Sequence, residues 1–322
     1  MKALTSFFLV VFSTSFTWAY QAAPAPTPGR TPDPYEARRR IQENEVESQR
    51  FETLRGAGNA VSKERARSIT RNEAARLYRD ATRKELKELS PNASDLRAYR
   101  EFLFRPNTGL IRLTNDPGCD GGTNVVVATD ECLRYSMPGG GSSYSFRTDG
   151  YRIRRLADLT FSVGLLEGRG VLSHSIIVAL GNVDLEKVTL KTPGMGYLVT
   201  FAPEVEFEKA RQIDLDLMSG VSFDGFVYRR SVPAIEGVTY ALRSIAYKGK
   251  YYRAVEGFAY NELDFDKRRD ITVAFRIVRR DDDGSVTILW KRLDSRDAPT
   301  VQQTKTDSEQ INRQNKFTVA GY

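Results

Sequence analysis

The sequence predicts a mainly β protein, an antiparallel sandwich or barrel-like pair of sheets, preceded by an N-terminal helical segment, a tether and a signal peptide. Three observations carry this prediction. From residue 106 to 295, apolar and polar residues alternate with the period of two that is typical of strands. Residues 35–105 are instead nearly free of Gly and Pro and rich in Arg, Glu and Ala. The chain begins with a short apolar leader.

The leader has the three parts of a secretory signal peptide. Lys2 supplies a positive charge, an apolar stretch follows from Leu4 to Phe16, and the small residues Thr17 and Ala19 flank Trp18 at the expected cleavage site. We therefore predict a signal peptide over residues 1–19 and export to the periplasm or the extracellular space. The stretch is shorter than the roughly 20 apolar residues that span a bilayer, so no transmembrane span is expected after cleavage.

Two segments separate the leader from the β domain. Residues 20–34 contain five of the thirteen prolines and predict a solvated, polyproline-type linker. Residues 35–105 predict a basic helical segment of three helices, the first over residues 35–54. The second begins at a capping box formed by Thr70 and Glu73 and continues to Leu89. The third begins at Ser94 and ends before Pro106.

The β domain is predicted over residues 106–295, and no alternation of strands with helices suggests a parallel sheet. Its clearest strand places apolar side chains on one face, at Ile271, Val273, Phe275 and Ile277. A turn at residues 281–284 precedes the next strand. Residues 247–251 look like the tip of another hairpin. After residue 295 the sequence becomes polar, and we predict a flexible tail over residues 296–322.

The two cysteines, Cys119 and Cys132, are predicted to form a disulfide. Export places them in an oxidising compartment, where disulfides persist. A loop of about 15 residues closed in this way stabilises a fold by roughly 3 kcal/mol. A redox-active pair of thiols is the alternative, but activated thiols usually have the Cys-X-X-Cys spacing.

Composition excludes several kinds of chemistry. One histidine and two cysteines are too few for most zinc sites, haem attachment or iron–sulfur clusters, so we expect neither a metal site nor a cofactor. The positive net charge of +7 is concentrated in the helical segment. Because basic and acidic residues are mixed there, a solvated helix face is favoured and a nucleic-acid partner is not.

Acidic residues are the better candidates for catalysis. Glu204, Glu206 and Glu208 are predicted on one face of a strand, and Asp214 and Asp216 on one face of another. Paired carboxylates across a groove suit a hydrolase acting on a cell-surface polysaccharide. The favoured alternative is the polar face of a half-buried sheet.

His174 is predicted on the apolar face of a strand, together with Leu172, Ile176 and Val178. A histidine in this position is more often a hydrogen-bonded core residue than a general base. The flanking serines point to the other face, so the sequence does not support a serine hydrolase.

Tyr247, Tyr251 and Tyr252 are the candidate ligand-facing residues, at the tip of the hairpin, where exposed aromatic rings suit a sugar or a protein. Core packing is the favoured interpretation of these rings, since strands are rich in aromatics. The sequence therefore favours an exported, non-catalytic binding or structural module, whose partner is an unidentified glycan or protein. A carboxylate-dependent hydrolase is the second hypothesis.

Overall fold

The structure is a computed structural model that describes residues 77–115, 138–255 and 258–302, together with residues 64, 68, 71, 72 and 75. All of them belong to one compact unit, Gly58–Tyr322. The predictions of the signal peptide, the linker, the first helix, the Thr70–Glu73 capping box and the Cys119–Cys132 disulfide lie outside the described residues. In the described part, no helix is both long enough and apolar enough to cross a membrane.

The helical segment differs from its prediction. A helix running without interruption from Thr70 to Leu89 is wrong, because the helical residues stop at Leu77 and a new helix starts after Thr82. This second start has its own capping box. The Thr82 hydroxyl accepts from the Glu85 N–H at 3.3 Å, and the Glu85 carboxylate accepts from the Thr82 N–H at 2.7 Å. The third predicted helix is interrupted at Tyr99. The helices of this segment whose bounds lie in the described residues are α1 (Arg83–Glu88), α2 (Ala93–Ala98) and α3 (Arg100–Leu103).

The β domain consists of open sheets, and every ladder between described strands is antiparallel. Two further helices, which the sequence analysis did not predict, lie within it: α4 (Gly196–Thr200) and α5 (Phe207–Ser219). The strands are β1 (Thr108–Leu113), β2 (Ser143–Ser145), β3 (Gly150–Tyr151), β4 (Leu159–Ser162), β5 (Leu165–Gly168), β6 (Ser173–Gly181), β7 (Val221–Phe223), β8 (Phe226–Arg229), β9 (Ser231–Pro233), β10 (Thr239–Ala246), β11 (Tyr252–Val255), β12 (Phe258–Asn261), β13 (Arg269–Arg280) and β14 (Val286–Asp297).

The strands form three sheets. The largest has seven strands in the order β1-β14-β13-β10-β6-β8-β7. A second has five strands in the order β3-β2-β4-β5-β9, and β11 pairs with β12 alone. Fold class is therefore confirmed at the level of mainly antiparallel, open sheets.

Two apolar clusters cover the two faces of the seven-stranded sheet. On one face, Phe275 and Trp290 pack in the same cluster as Phe146 and Phe161 of the five-stranded sheet region. On the other face, Ala274 and its neighbours pack against side chains from the helices and their connections. Those covering residues are Phe102, Leu185, Val188, Met195, Leu198 and Leu217. Since both faces are covered, every residue of the central strand β10 is buried.

The hairpin of β13 and β14 confirms the clearest strand prediction. Ile271, Val273, Phe275 and Ile277 all lie in the cluster shared with the five-stranded sheet. The predicted tail starts too early, however. β14 extends to Asp297, and beyond it Val301 is buried and donates its N–H to the Lys248 carbonyl at 2.9 Å. Residues 303–322 lie outside the described part.

Candidate functional site

The five predicted acids lie on or beside one helix, not on two strands. α5 begins after Glu206, and it carries Glu208, Asp214 and Asp216. The strand prediction is wrong because Ile213, Leu215 and Leu217 alternate only by coincidence. The buried positions are instead Ala210 and Leu217, with Ile213 half-buried between them, which is the spacing of one helix face.

Each acid already has a partner that occupies its carboxylate. Glu206 pairs with Lys209 at 2.7 Å and Glu208 with Arg211 at 3.0 Å. Asp214 pairs with Arg230 at 2.5 Å, and Asp216 accepts from the Gln212 amide at 3.0 Å. None of these contacts joins one carboxylate to another, so they supply no support for an acid pair.

Glu204, just before α5, folds back on the chain. Its Oε1 accepts from the N–H groups of Glu206 at 3.0 Å and Val205 at 2.8 Å. The bond from Glu206 is the main cause that lowers the pKa of Glu204. A general acid needs the opposite shift. The carboxylate-dependent hydrolase thus stays a hypothesis that no observation among the described residues favours.

The predicted hairpin tip does not exist. β10 pairs with β6 and β13, whereas β11 pairs only with β12, so residues 247–251 connect two different sheets. Tyr247, one of the candidate ligand-facing residues, is buried and packs with Ile245 and Val301, next to the bridge between Lys248 and Thr300. Tyr251 is half-buried, and Tyr252 alone of the three is 36 % exposed.

His174 confirms its interpretation as a hydrogen-bonded core residue. Its ring is buried on β6, with Nε2 2.7 Å from the Ala210 carbonyl oxygen of α5. The Tyr247 hydroxyl lies 3.1 Å from Nδ1. Burial lowers the pKa of His174. Both ring nitrogens are therefore occupied by the protein itself.

The structure assembles a group of aromatic and arginine side chains around one buried carboxylate, that of Glu262. Arg155 donates to Glu262 Oε2 from Nη2 at 2.6 Å and from Nε at 3.2 Å. Tyr78 donates to Oε1 at 3.0 Å, and burial, followed by the charge of Glu262, raises the pKa of Tyr78. We call this group the Glu262 cluster; it comprises Tyr78, Arg155, Tyr251, Tyr260, Glu262 and Phe265.

Ring contacts hold the outer part of the Glu262 cluster. Phe265 stacks on Tyr78, with centroids 4.7 Å apart and planes 13° apart, and it contacts Tyr260 edge-on at 5.7 Å. The Arg155 guanidinium lies 5.3 Å from the centroid of the Tyr251 ring. Phe265 nevertheless remains 39 % exposed. The cluster thus presents an aromatic ring to solvent and fixes it from behind.

Tyr252 is connected to the segment that carries the exposed Phe265 ring through the pairing of β11 with β12. It pairs with Asn261 in the ladder of β11 and β12, and Phe265 ends the 3-10 turn, Glu262–Phe265, that follows Asn261. The Asn261 amide donates to the exposed carboxylate of Asp264 at 2.7 Å. Polar groups therefore accompany both exposed aromatics.

The charged side chains of a second group are almost completely buried. Asp158 accepts from Arg147 Nε at 2.7 Å and from the hydroxyls of Ser145 at 3.1 Å and Ser244 at 2.5 Å. Arg147 also donates to Asp266 at 2.5 Å. We call Ser145, Arg147, Asp158, Ser244, Asp266 and Arg268 the Asp158 network.

Arg268 completes the Asp158 network and attaches it to the surrounding backbone. It donates to Asp266 at 2.7 Å and to the carbonyls of Leu172 at 2.6 Å and Tyr247 at 2.9 Å. Burial lowers the pKa of Arg268 to about 10, and the nearby charge of Arg147 adds to the shift. The network thereby joins segments from both large sheets, which is a structural role.

Sequence reasoning missed both groups. Arg147 and Asp266 are 119 positions apart, and Tyr78 and Glu262 are 184 apart, so no local spacing connects them. Among the described residues, no three or more Asp, Glu, His or Cys side chains are grouped to hold a metal ion.

Comparison with known proteins adds no functional information. The chain matches no protein-family model, no curated protein and no solved structure at a significant level.

Proposed function

We propose that this protein is an exported, non-catalytic binding module whose ligand contacts the exposed aromatic side of the Glu262 cluster. The observation that carries the proposal is the Phe265 ring, which is 39 % exposed although Tyr78 and Tyr260 fix it in place. A ring that is already immobilised loses little side-chain entropy when a ligand packs on it.

A glycan is the ligand class that this surface suits best. Sugar rings pack their C–H faces on aromatic rings, while their hydroxyls need hydrogen-bonding groups close by. Phe265 and Tyr252 supply the rings, and Asn261 and Asp264 supply an amide and a carboxylate. A protein ligand is the alternative and would use the same aromatic side chains.

The test is a glycan array with the purified protein, followed by titration of each glycan retained. Replacement of Phe265 or Tyr252 by Ala should weaken binding at least tenfold. Phe104→Ala is the matched control, because this ring is 75 % exposed and contacts the Arg100 guanidinium, away from the Glu262 cluster. If no glycan is retained, or if all three variants bind equally, the glycan proposal is wrong.

A further inference from the structure

An exposed apolar surface lies at the edge of the five-stranded sheet, where β5 pairs with β9. Leu165 and Pro233 are direct neighbours across this ladder, and both are exposed. Exposure alternates along β9 and the two residues that follow it. Ile235, 52 % exposed, therefore points outward like Pro233, whereas Val232 and Ala234 are buried in the core. The outward side of this pair of strands is thus apolar, although its inward side already supplies the core.

A fourth apolar side chain, Val163, lies beside these residues at the turn between β4 and β5. The Ala234 N–H donates to the Gly164 carbonyl at 3.0 Å, which places this turn next to Ile235. Val163 is 78 % exposed. Contiguous apolar side chains on a protein surface commonly mark a site of interaction. We call this group the β5–β9 patch; it comprises Val163, Leu165, Pro233 and Ile235.

The backbone at Val163 is strained. Val163 and Gly164 form a two-residue turn between the paired Ser162 and Leu165, with φ of 50° and 76°. Positive φ at both positions is the pattern of a type I′ turn, whose first position favours Asn or Gly. A β-branched side chain crowds the backbone in this conformation. Because Val163 is exposed, burial within the chain does not offset the strain, whereas a contact with another molecule would bury the side chain.

The edge of β9 does not accept a further strand at Pro233. Proline has no N–H, and the Pro233 carbonyl already accepts from the Tyr240 hydroxyl at 2.7 Å. The same hydroxyl accepts from the Ile235 N–H at 3.1 Å. A molecule bound here therefore packs on the side chains of the β5–β9 patch and does not extend the sheet.

The charges at the two ends of the patch indicate the kind of partner. At one end, Arg169 donates to Glu167 at 2.7 Å. At the other end, Glu236 accepts from the Arg280 N–H at 2.9 Å, and the Arg280 guanidinium donates to the Ala234 carbonyl at 3.3 Å. Each end thus carries one acid and one arginine, a balance that does not attract an anionic lipid surface or a nucleic acid. An identical surface is complementary, because the arginine of one copy can face a glutamate of the other.

We propose that the β5–β9 patch is covered by a second copy of this chain in a two-fold symmetric dimer. A two-fold interface buries the same patch on both copies, so both Val163 side chains leave water together. Four side chains form a smaller patch than the about 800 Å² that each partner usually buries in a stable complex, so the dimer is weak and reversible. This inference is independent of the proposed function, because no residue of the patch belongs to the Glu262 cluster.

Sedimentation equilibrium of the purified protein, from about 10 μM to about 1 mM, measures this association. We expect the average mass to rise with concentration from one chain toward two. Val163→Asn and Ile235→Ser should each weaken the dimer at least tenfold. Phe104→Ala is the matched control, because this ring is 75 % exposed in the helical segment, and it should leave the dissociation constant unchanged. A mass of one chain at every concentration, or patch variants that associate as the unchanged chain does, would overturn the proposal.

The stability of the dilute monomer separates docking from a structural role of Val163. Asn adopts the backbone of this turn position more readily, so Val163→Asn should raise the unfolding temperature of the monomer while it weakens the dimer. A lower unfolding temperature would show that Val163 serves the fold itself and would count against the proposal.

A lipid surface is the other occupant that can be tested directly. Vesicles of anionic phospholipid are sedimented with the protein and with both patch variants. We expect no co-sedimentation that depends on Val163 or Ile235. Binding to vesicles that both variants lose, without a dimer in solution, would assign the β5–β9 patch to a membrane and overturn the proposal.

Discussion

The Asp158 network and the Glu262 cluster use the same chemistry in two different environments. Each places an arginine on a buried carboxylate and joins segments more than 100 positions apart. In the network, the side chains of Arg147 and Asp158 are both 0 % exposed. In the cluster, Glu262 is equally buried, but the side chain of Arg155 is 22 % exposed. The comparison shows that a buried ion pair alone does not distinguish the two groups; the exposed Phe265 ring of the cluster does, and the proposed ligand contact rests on that ring.

The largest effect is expected from Asp158→Asn, which removes the charge and keeps the shape. Arg147 would stay buried with one of its two carboxylates lost, and breaking a fully buried ion pair usually costs about 3–5 kcal/mol. Denaturant unfolding measures this loss of free energy. A loss below about 1 kcal/mol would show that the Asp158 network contributes little to joining the two large sheets.

Glu262→Gln should have an intermediate effect. The amide can still accept from Tyr78, but the charge that holds Arg155 is gone, and Arg155 reaches solvent. We expect a loss of about 1–3 kcal/mol in the free energy of unfolding, as for a hydrogen bond to a charged group. A loss as large as that of Asp158→Asn would mean that solvent access does not separate the two sites.

The ion pair of Glu85 with Arg79, in which the Arg79 side chain is 33 % exposed, extends the comparison to a more exposed site and can be tested by changing the pH. Its hydrogen bond from Arg79, at 2.6 Å, is the main cause that lowers the pKa of Glu85 to about 2. The folded pKa lies below the ordinary value, so the stability of this pair is present above pH 4.5 and is lost as the pH falls through about 2. Carbon NMR of the labelled carboxyl group measures the titration, and Arg79→Gln should return the midpoint toward 4.5.

The smallest effect is expected from Glu208→Gln on the outer face of α5. The Glu208 and Arg211 side chains are 48 % and 61 % exposed, and such pairs contribute about 0.5 kcal/mol or less. The same unfolding assay provides the measurement. A loss above about 1 kcal/mol would show that the acids of α5 matter more than their exposure indicates.

Prediction from sequence succeeded where a spacing of apolar residues fitted only one kind of secondary structure. Alternation across Ile271 to Ile277 and the turn at residues 281–284 belong to a hairpin that is closed locally, and the structure has both. The same rule failed at Ile213 and Leu215. Their alternation with polar residues was too short to distinguish a strand from the helix α5, to which they belong. The hairpin tip predicted at residues 247–251 is absent, and Lys248 there forms a bridge with Thr300, more than 50 positions away.

The candidate site was less accessible to prediction than the fold. Tyr252 belonged to a predicted group and is exposed, but Phe265 and Tyr78 did not stand out among other aromatics. Their importance arises from contacts with Glu262 that form only after the sheets assemble. Polar contacts of this kind have no period in the sequence, because each is made once and between distant positions.

The order of strands in the seven-stranded sheet has a consequence for the rate of folding. β1 is an edge strand whose neighbour is β14, so Thr108 cannot form its ladder pair until Lys291 has been synthesised. Sheets built from such distant pairings fold slowly, because a long loop must close before any contact stabilises it. During synthesis the sheet stays incomplete until nearly the whole described chain has been made.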